Sequence, residues 1–150
     1  VIHVDARDMQ RVARMIRETS DRELQKNFDR ALQEAIEPAK EAVRSSASSE
    51  LPHRGGLAAK VAGGKFRVQK QAGGVSLSMT VGKRAGGNYD LRRLDQGRLR
   101  HPVFGGRKWV QQQVPSGWWT RPLQQMWPEI TRKVNGAVED FARELARKAR

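Results

Sequence analysis

The sequence predicts an α+β fold in a single domain over residues 1–150: a small antiparallel sheet of about three to four strands, built on a hairpin and packed against a long N-terminal helix and a C-terminal helix. Three observations predict it. Apolar residues recur at steps of three or four through residues 24–43 and 123–145, the spacing of one helix face. Strict alternation of apolar and polar residues over 75–81 marks a half-buried strand. Thirteen of the fourteen glycines lie between residues 51 and 120, so the middle of the chain is turns and strands while its ends are helical.

Taken in order, Val1, Ile2, His3 and Val4 read as a short strand, and Asp5 can cap a following helix by accepting from its first free amides. Met9, Val12, Ala13 and Ile16 form that helix's apolar face. Ser20-Asp21-Arg22-Glu23 has the form of a capping box and starts a second, longer helix, whose stripe is Leu24, Phe28, Leu32, Ala35 or Ile36, Ala39 and Val43. Pro38 predicts a kink within it, and the serine run 45–49 is expected to end it. Residues 51–61, with Pro52, Gly55 and Gly56, read as a turn into a short helix or strand. Phe66 and Val68 alternate with Arg67 and Gln69, and Val75, Leu77, Met79 and Val81 with Ser76, Ser78 and Thr80; Ala72-Gly73-Gly74 joins the two strands as a hairpin. A Gly-rich basic turn follows over 83–88, and 89–94 can supply a third strand. Thr120-Arg121-Pro122 opens the C-terminal helix, Pro128 requires a restart or a kink, and the basic last residues suit the helix dipole and fray.

The charge is uneven along the chain. Of a formal +13, residues 1–50 carry 9 basic and 10 acidic residues, net −1; residues 51–120 carry 13 and 2, net +11; residues 121–150 carry 7 and 4, net +3. The cations therefore ride on strands and loops, which argues against a recognition-helix DNA reader and permits loops that meet phosphates or an acidic partner. With no cysteine, disulfides and thiolate metal sites are excluded; His3, His53 and His101 lack metal-ligand spacing, and no cofactor is expected. No apolar run approaches the ~20 residues of a membrane span, so no membrane partner and cytoplasmic synthesis are the expectations.

Residues 91–119 gather the most distinctive side chains: Arg92, Arg93, Arg98, Arg100 and Lys108 with Trp109, Trp118 and Trp119, among glycines and prolines that forbid a long helix. Arg and Trp carry much of the energy in protein interfaces and also suit phosphate contact and base stacking. If the Trp118-Trp119 stretch is extended, one indole faces the core and the other faces solvent or a partner. Catalysis is the function class the sequence most nearly excludes. It contains no GxxxxGK[ST] loop, GxGxxG, GxSxG or HExxH, and the central carboxylates, Asp90 and Asp95, sit among arginines where ion pairing is expected over acid–base work.

The order of parts resembles the head–tail joining, or tail-completion, family of long-tailed double-stranded DNA phages, in the branch found in phages of actinobacteria. The matching residues are Pro52 with Gly56-Leu57, the hairpin at 66–81, Tyr89 leading to Leu94-Asp95-Gln96-Gly97, and above all Arg98-Leu99-Arg100-His101-Pro102-Val103-Phe104-Gly105 followed by Trp109. Gly55-Gly56 stands where the family usually has Thr-Gly, and the spacing from Tyr89 to Asp95 is longer than in the commoner branch.

The resemblance implies a non-enzymatic structural virion protein, assembled in the bacterial host cytoplasm. It would form a homo-oligomeric ring, six-fold by expectation, in the phage neck between head connector and tail, beside neighbouring neck proteins, the tail terminator and the tail tube. The candidate oligomer and partner interface is Arg92, Arg93, Arg98, Arg100, His101, Phe104, Trp109, Trp118 and Trp119, since a closed ring needs two dissimilar side surfaces. Lys65, Arg67, Lys70, Lys83 and Arg84 are candidates for loops that line a lumen near double-stranded DNA or enter an adjacent ring. The alternatives are a tail terminator and a sequence-nonspecific nucleic-acid-binding module.

Overall fold

A computed structural model describes residues 2–5, 9–71, 74–82, 89–103 and 107–150. The elements are β1 (Ile2–Asp5), α1 (Met9–Glu18), α2 (Arg22–Glu50), a 3₁₀ turn (Arg54–Gly56), α3 (Leu57–Ala62), β2 (Lys65–Gln71), β3 (Gly74–Thr80), α4 (Leu91–Asp95), β4 (Arg98–Pro102), β5 (Trp109–Gln113) and α5 (Thr120–Lys148). The class is α+β, with a long helix toward each end and antiparallel strands between, as the sequence predicts. Two compact units divide the chain: residues 1–40, 66–79 and 126–150 in one, residues 41–65 and 80–125 in the other.

In the first unit a three-stranded sheet is ordered β1-β3-β2, with β1 antiparallel to β3 in the register Ile2↔Leu77, His3↔Ser76 and Val4↔Val75. The helical stripe predicted on α2 is the buried one: Leu24, Phe28, Leu32, Ala35, Ile36 and Ala39 are all inside, together with Ile130, Val134, Ala137, Val138 and Phe141 of α5. The Phe28 and Phe141 rings meet at 4.9 Å between centroids. Lys70 lays its ammonium 6.0 Å from the Phe28 ring centroid and 2.5 Å from Asp29, so its stem covers apolar surface while its charge is paired. Alternation predicts β3 half-buried with its serines outward, but Ser76 is buried as well as Val75 and Leu77. A central strand has a neighbour on each side, and Gln71 Nε2 reaches over to donate to Ser76 Oγ at 3.3 Å.

The N-terminus of α2 is capped one residue later than the sequence suggests. Asp21, not Ser20, is the cap: its Oδ1 accepts from the Leu24 amide at 3.0 Å, and its own amide donates to Thr19 Oγ1. Gln25 closes the end of α1 by donating to the carbonyls of Ile16 and Thr19. Helix α2 passes through Pro38, and the serine run does not end it. Ala47 is fully buried there, Ser46 Oγ donates to Glu50 and Ser49 Oγ to the Ser46 carbonyl, so packing and local bonds outweigh the weak helix propensity of serine. Helix α5 likewise runs through Pro128 to Lys148. Its basic end is tied down by a 2.6 Å bond from Lys148 to Asp21, which holds the Asp21 carboxyl below its ordinary value and raises the Lys148 ammonium, the side-chain hydrogen bond being the main cause of both. The helix expected to follow Asp5 is α1, but the cap itself and the hairpin turn at 72–73 fall outside the described residues.

In the second unit the core is Val43, Ala47, Leu51, Leu57, Ala58, Val61, Leu94, Trp118 and Leu123. The segment left open between helix and strand is helical: a 3₁₀ turn enters α3 through Gly55 and Gly56, whose φ of 75° and 74° admit few side chains. The third strand expected over 89–94 is instead the short helix α4, because Asp90 Oδ1 accepts from the Arg93 amide at 3.0 Å and caps it.

Candidate interaction site

The distinctive central stretch forms one module within the second unit, α4–β4–β5 followed by the entry to α5. Strands β4 and β5 pair antiparallel in the register Arg98↔Gln113, Leu99↔Gln112, Arg100↔Gln111, His101↔Val110 and Pro102↔Trp109. Paired residues project to the same side and successive residues to opposite sides. One face therefore carries Arg98, Arg100, Pro102, Trp109, Gln111 and Gln113, and the other Leu99, His101, Val110 and Gln112. No residue of either strand is fully buried; Arg98, Arg100, Gln111 and Gln113 are exposed, whereas Leu99, His101 and Val110 are half-buried. The ribbon thus shows a basic, amide-rich face outward, with Trp109 half-buried on it, and behind it a face that is half-buried except at the exposed Gln112. Arg100 stacks over the Trp109 ring, 5.4 Å from the centroid, which couples the two strands diagonally on that outward face. Near the tip, the Val103 amide donates to the Lys108 carbonyl at 2.9 Å.

A two-stranded ribbon is marginal by itself in water. What steadies this one is a knot of bonds at its base, centred on Asp95 and Gly97. The Asp95 carboxylate accepts from the amides of Trp119 (2.8 Å) and Thr120 (3.2 Å) and from the Thr120 hydroxyl, capping α5 across 25 residues of chain. Its carbonyl accepts from the Gly117 amide at 2.7 Å, and the Gly97 carbonyl from the Val114 amide at 3.0 Å. Gly97 has φ 83°, and a Cβ there would lie 2.9 Å from the Val114 carbonyl oxygen, so the crossing admits only glycine. Arg121 adds a clamp, donating to Glu50 at 2.9 Å and to the Ser116 carbonyl at 2.5 Å.

The candidate residues separate by place. Arg98, Arg100 and Trp109 come together on the outward face; Arg92 and Arg93 are exposed on α4, Arg93 lying 3.5 Å from Asp90. His101 is on the reverse face, its Nδ1 3.1 Å from the Pro102 carbonyl oxygen. Trp118 is removed from any contact surface: it is fully buried, with Nε1 lacking a hydrogen-bond partner among the described residues, while Trp119 is half-buried and meets it edge to face at 5.9 Å. One indole in and one partly out is the expected outcome, but it arises in a turn entering a helix and not in a strand. Lys65, Arg67 and Lys70 lie on β2, not in a loop, and Lys70 is paired with Asp29. Phe104, Lys83 and Arg84 fall outside the described residues.

Asp90 has an arginine partner as expected; Asp95 has hydrogen bonds in place of the expected ion pair, because its position faces the free amides of α5. Among the described residues no group of three or more His, Cys, Asp or Glu is placed to hold a metal ion, and no helix is long and apolar enough to cross a membrane. Sequence reasoning missed Gln111, Gln113, the crossing role of Gly97 and the Arg121–Glu50 pair. The glutamine run 111–113 and the repeated arginines at 98 and 100 are the signal for the first two; the others depend on contacts distant in sequence.

Compared with protein-family models, with curated proteins and with solved structures, the chain matches none.

Proposed function

We propose that this chain is a structural virion protein, a subunit of a ring in the neck of a long-tailed double-stranded DNA phage that joins the head connector to the tail. The observation that supports it best is the β4–β5 ribbon: two strands without a further strand neighbour among the described residues, fastened at the base by Asp95 and Gly97 and bearing no fully buried side chain. A strand edge recruits another chain through main-chain hydrogen bonds, and an edge meeting a dissimilar surface is the heterologous contact that closes a ring. Arg98, Arg100, His101 and Trp109, among the residues that carry the resemblance, lie on this ribbon. Ring closure is assigned to the edges, while Leu99 and Val110 on the reverse face are half-buried.

Light scattering across a concentration series, at near-physiological salt, tests the reading. Growth of mass to one closed multiple of the 16.9 kDa chain, or assembly of monomer onto purified phage tails lacking it, supports it. A chain that stays monomeric in both settings overturns it.

A further inference from the structure

The outward face of the ribbon has a composition that ring closure by strand edges does not use. Arg98, Arg100, Gln111 and Gln113 are exposed on it, Trp109 is half-buried, and no position on it is acidic. The two carboxylates of the module are engaged within it, Asp90 at the start of α4 and Asp95 at the start of α5. Arg92, Arg93, Arg107 and Lys108 are exposed on the same module. We infer that this face binds the sugar-phosphate backbone of duplex DNA, without reading its sequence.

The chemistry of the face selects that partner. Guanidinium forks match phosphate oxygens two bonds at a time, and glutamine amides add neutral donors to the same oxygens. Contact with the Trp109 ring, 5.4 Å from its centroid, restrains the Arg100 guanidinium on this face. Cations and neutral amides without a carboxylate give the strand positions of this face a positive field, which complements a polyanion. Few phosphates are engaged, so the contact is weak and its salt slope is small, in proportion to the number of cations on the face. The inference concerns a different surface from the strand edges and stands or falls apart from ring formation.

Anisotropy of a labelled duplex of about 20 base pairs, titrated with the full chain between about 50 and 200 mM salt, measures the number of phosphates neutralised, since log K falls with log salt by about 0.9 per phosphate. The double variant Arg98→Gln with Arg100→Gln is expected to weaken binding equally on unrelated sequences and to reduce the slope by about 2. Arg132→Gln with Arg147→Gln, removing exposed cations of α5, is expected to leave the slope unchanged. Far-UV circular dichroism of both variants confirms the fold, and the conservative Arg98→Lys with Arg100→Lys keeps the slope. The inference is overturned by absence of duplex binding at the lowest salt, by an unchanged slope in the Arg98 and Arg100 glutamine variant, or by an equal loss in the α5 variant. It is also overturned if the Arg98 and Arg100 glutamine variant loses ring mass while duplex affinity persists, which would make the face a protein contact. A wild-type chain that binds duplex but never assembles defeats the ring reading alone.

Discussion

The two sheets of this protein use the same antiparallel pairing to opposite ends. Strand β3 of the three-stranded sheet buries Val75, Ser76 and Leu77 together, whereas no residue of the β4–β5 ribbon is fully buried. The difference lies in neighbours: β3 has a strand on each side, and its unit contains the buried stripes of α2 and α5. The ribbon has one pairing and depends on a few hydrogen bonds at its base. A strand that is surrounded stabilises the molecule; a strand that is fastened at one end presents side chains. The contrast predicts where substitutions act on stability and where they act on the ribbon alone.

The largest effect is expected in the helix-lined core. Phe28→Ala removes a buried ring in contact with Phe141 and should cost about 3–5 kcal/mol by denaturant unfolding, whereas Val110→Ala in the ribbon should cost under about 1.5 kcal/mol. Equal losses would erase the distinction. Next comes the base of the ribbon: Asp95→Ala removes the acceptor of the Trp119 and Thr120 amides and should cost about 1–3 kcal/mol. Its diagnostic sign is faster hydrogen exchange at the β4 and β5 amides while those of β3 stay protected.

Gly97→Ala sharpens the same point with backbone alone. A left-handed φ and an oxygen at 2.9 Å should together cost about 1–3 kcal/mol, whereas Gly117→Ala, at φ 84°, meets only the Arg121 side chain at 3.2 Å and should cost less in the same unfolding assay. The smallest effect belongs to the surface pair Lys148 and Asp21. Asp21 titrates below its ordinary 3.8, so its contribution is present above that value and is lost as pH falls through the lowered one; Lys148, raised above 10.5, contributes below that value and loses its share as pH rises through the raised one. Lys148→Met should therefore lower the melting temperature slightly at neutral pH, with the gap to wild type closing toward strongly acid and strongly alkaline conditions. A gap constant with pH would assign the effect to the lysine stem.

Most of the core was legible because helical burial leaves a period in the sequence. The residues named for the α2 stripe, and Ile130, Val134 and Phe141 of α5, are buried as the period requires. Local signals misled where two of them competed. Ser20 and Asp21 are both good caps, and the helix begins after the second. The serine run has poor helix propensity, yet buried Ala47 carries α2 through it. Residues 89–94 hold apolar and basic residues that fit a strand, but Asp90 captures the Arg93 amide and starts a helix. The candidate site was legible as a composition of Arg and Trp, not as a surface, since adjacent tryptophans in the sequence divide between core and exterior.

The sequence by itself determined the class, the two long helices, the strands on either side of residue 73 and the concentration of positive charge in the middle of the chain. These follow from periodicity and composition, which act over a few residues. Only the tertiary structure decided that Arg98, Arg100 and Trp109 share a face, that Trp118 is buried, and that Asp95 caps a helix beginning 25 residues later. Those outcomes depend on strand register and on which backbone amides come to lie near a carboxylate. Such distances are set by packing between segments far apart in the chain, and no local pattern encodes them.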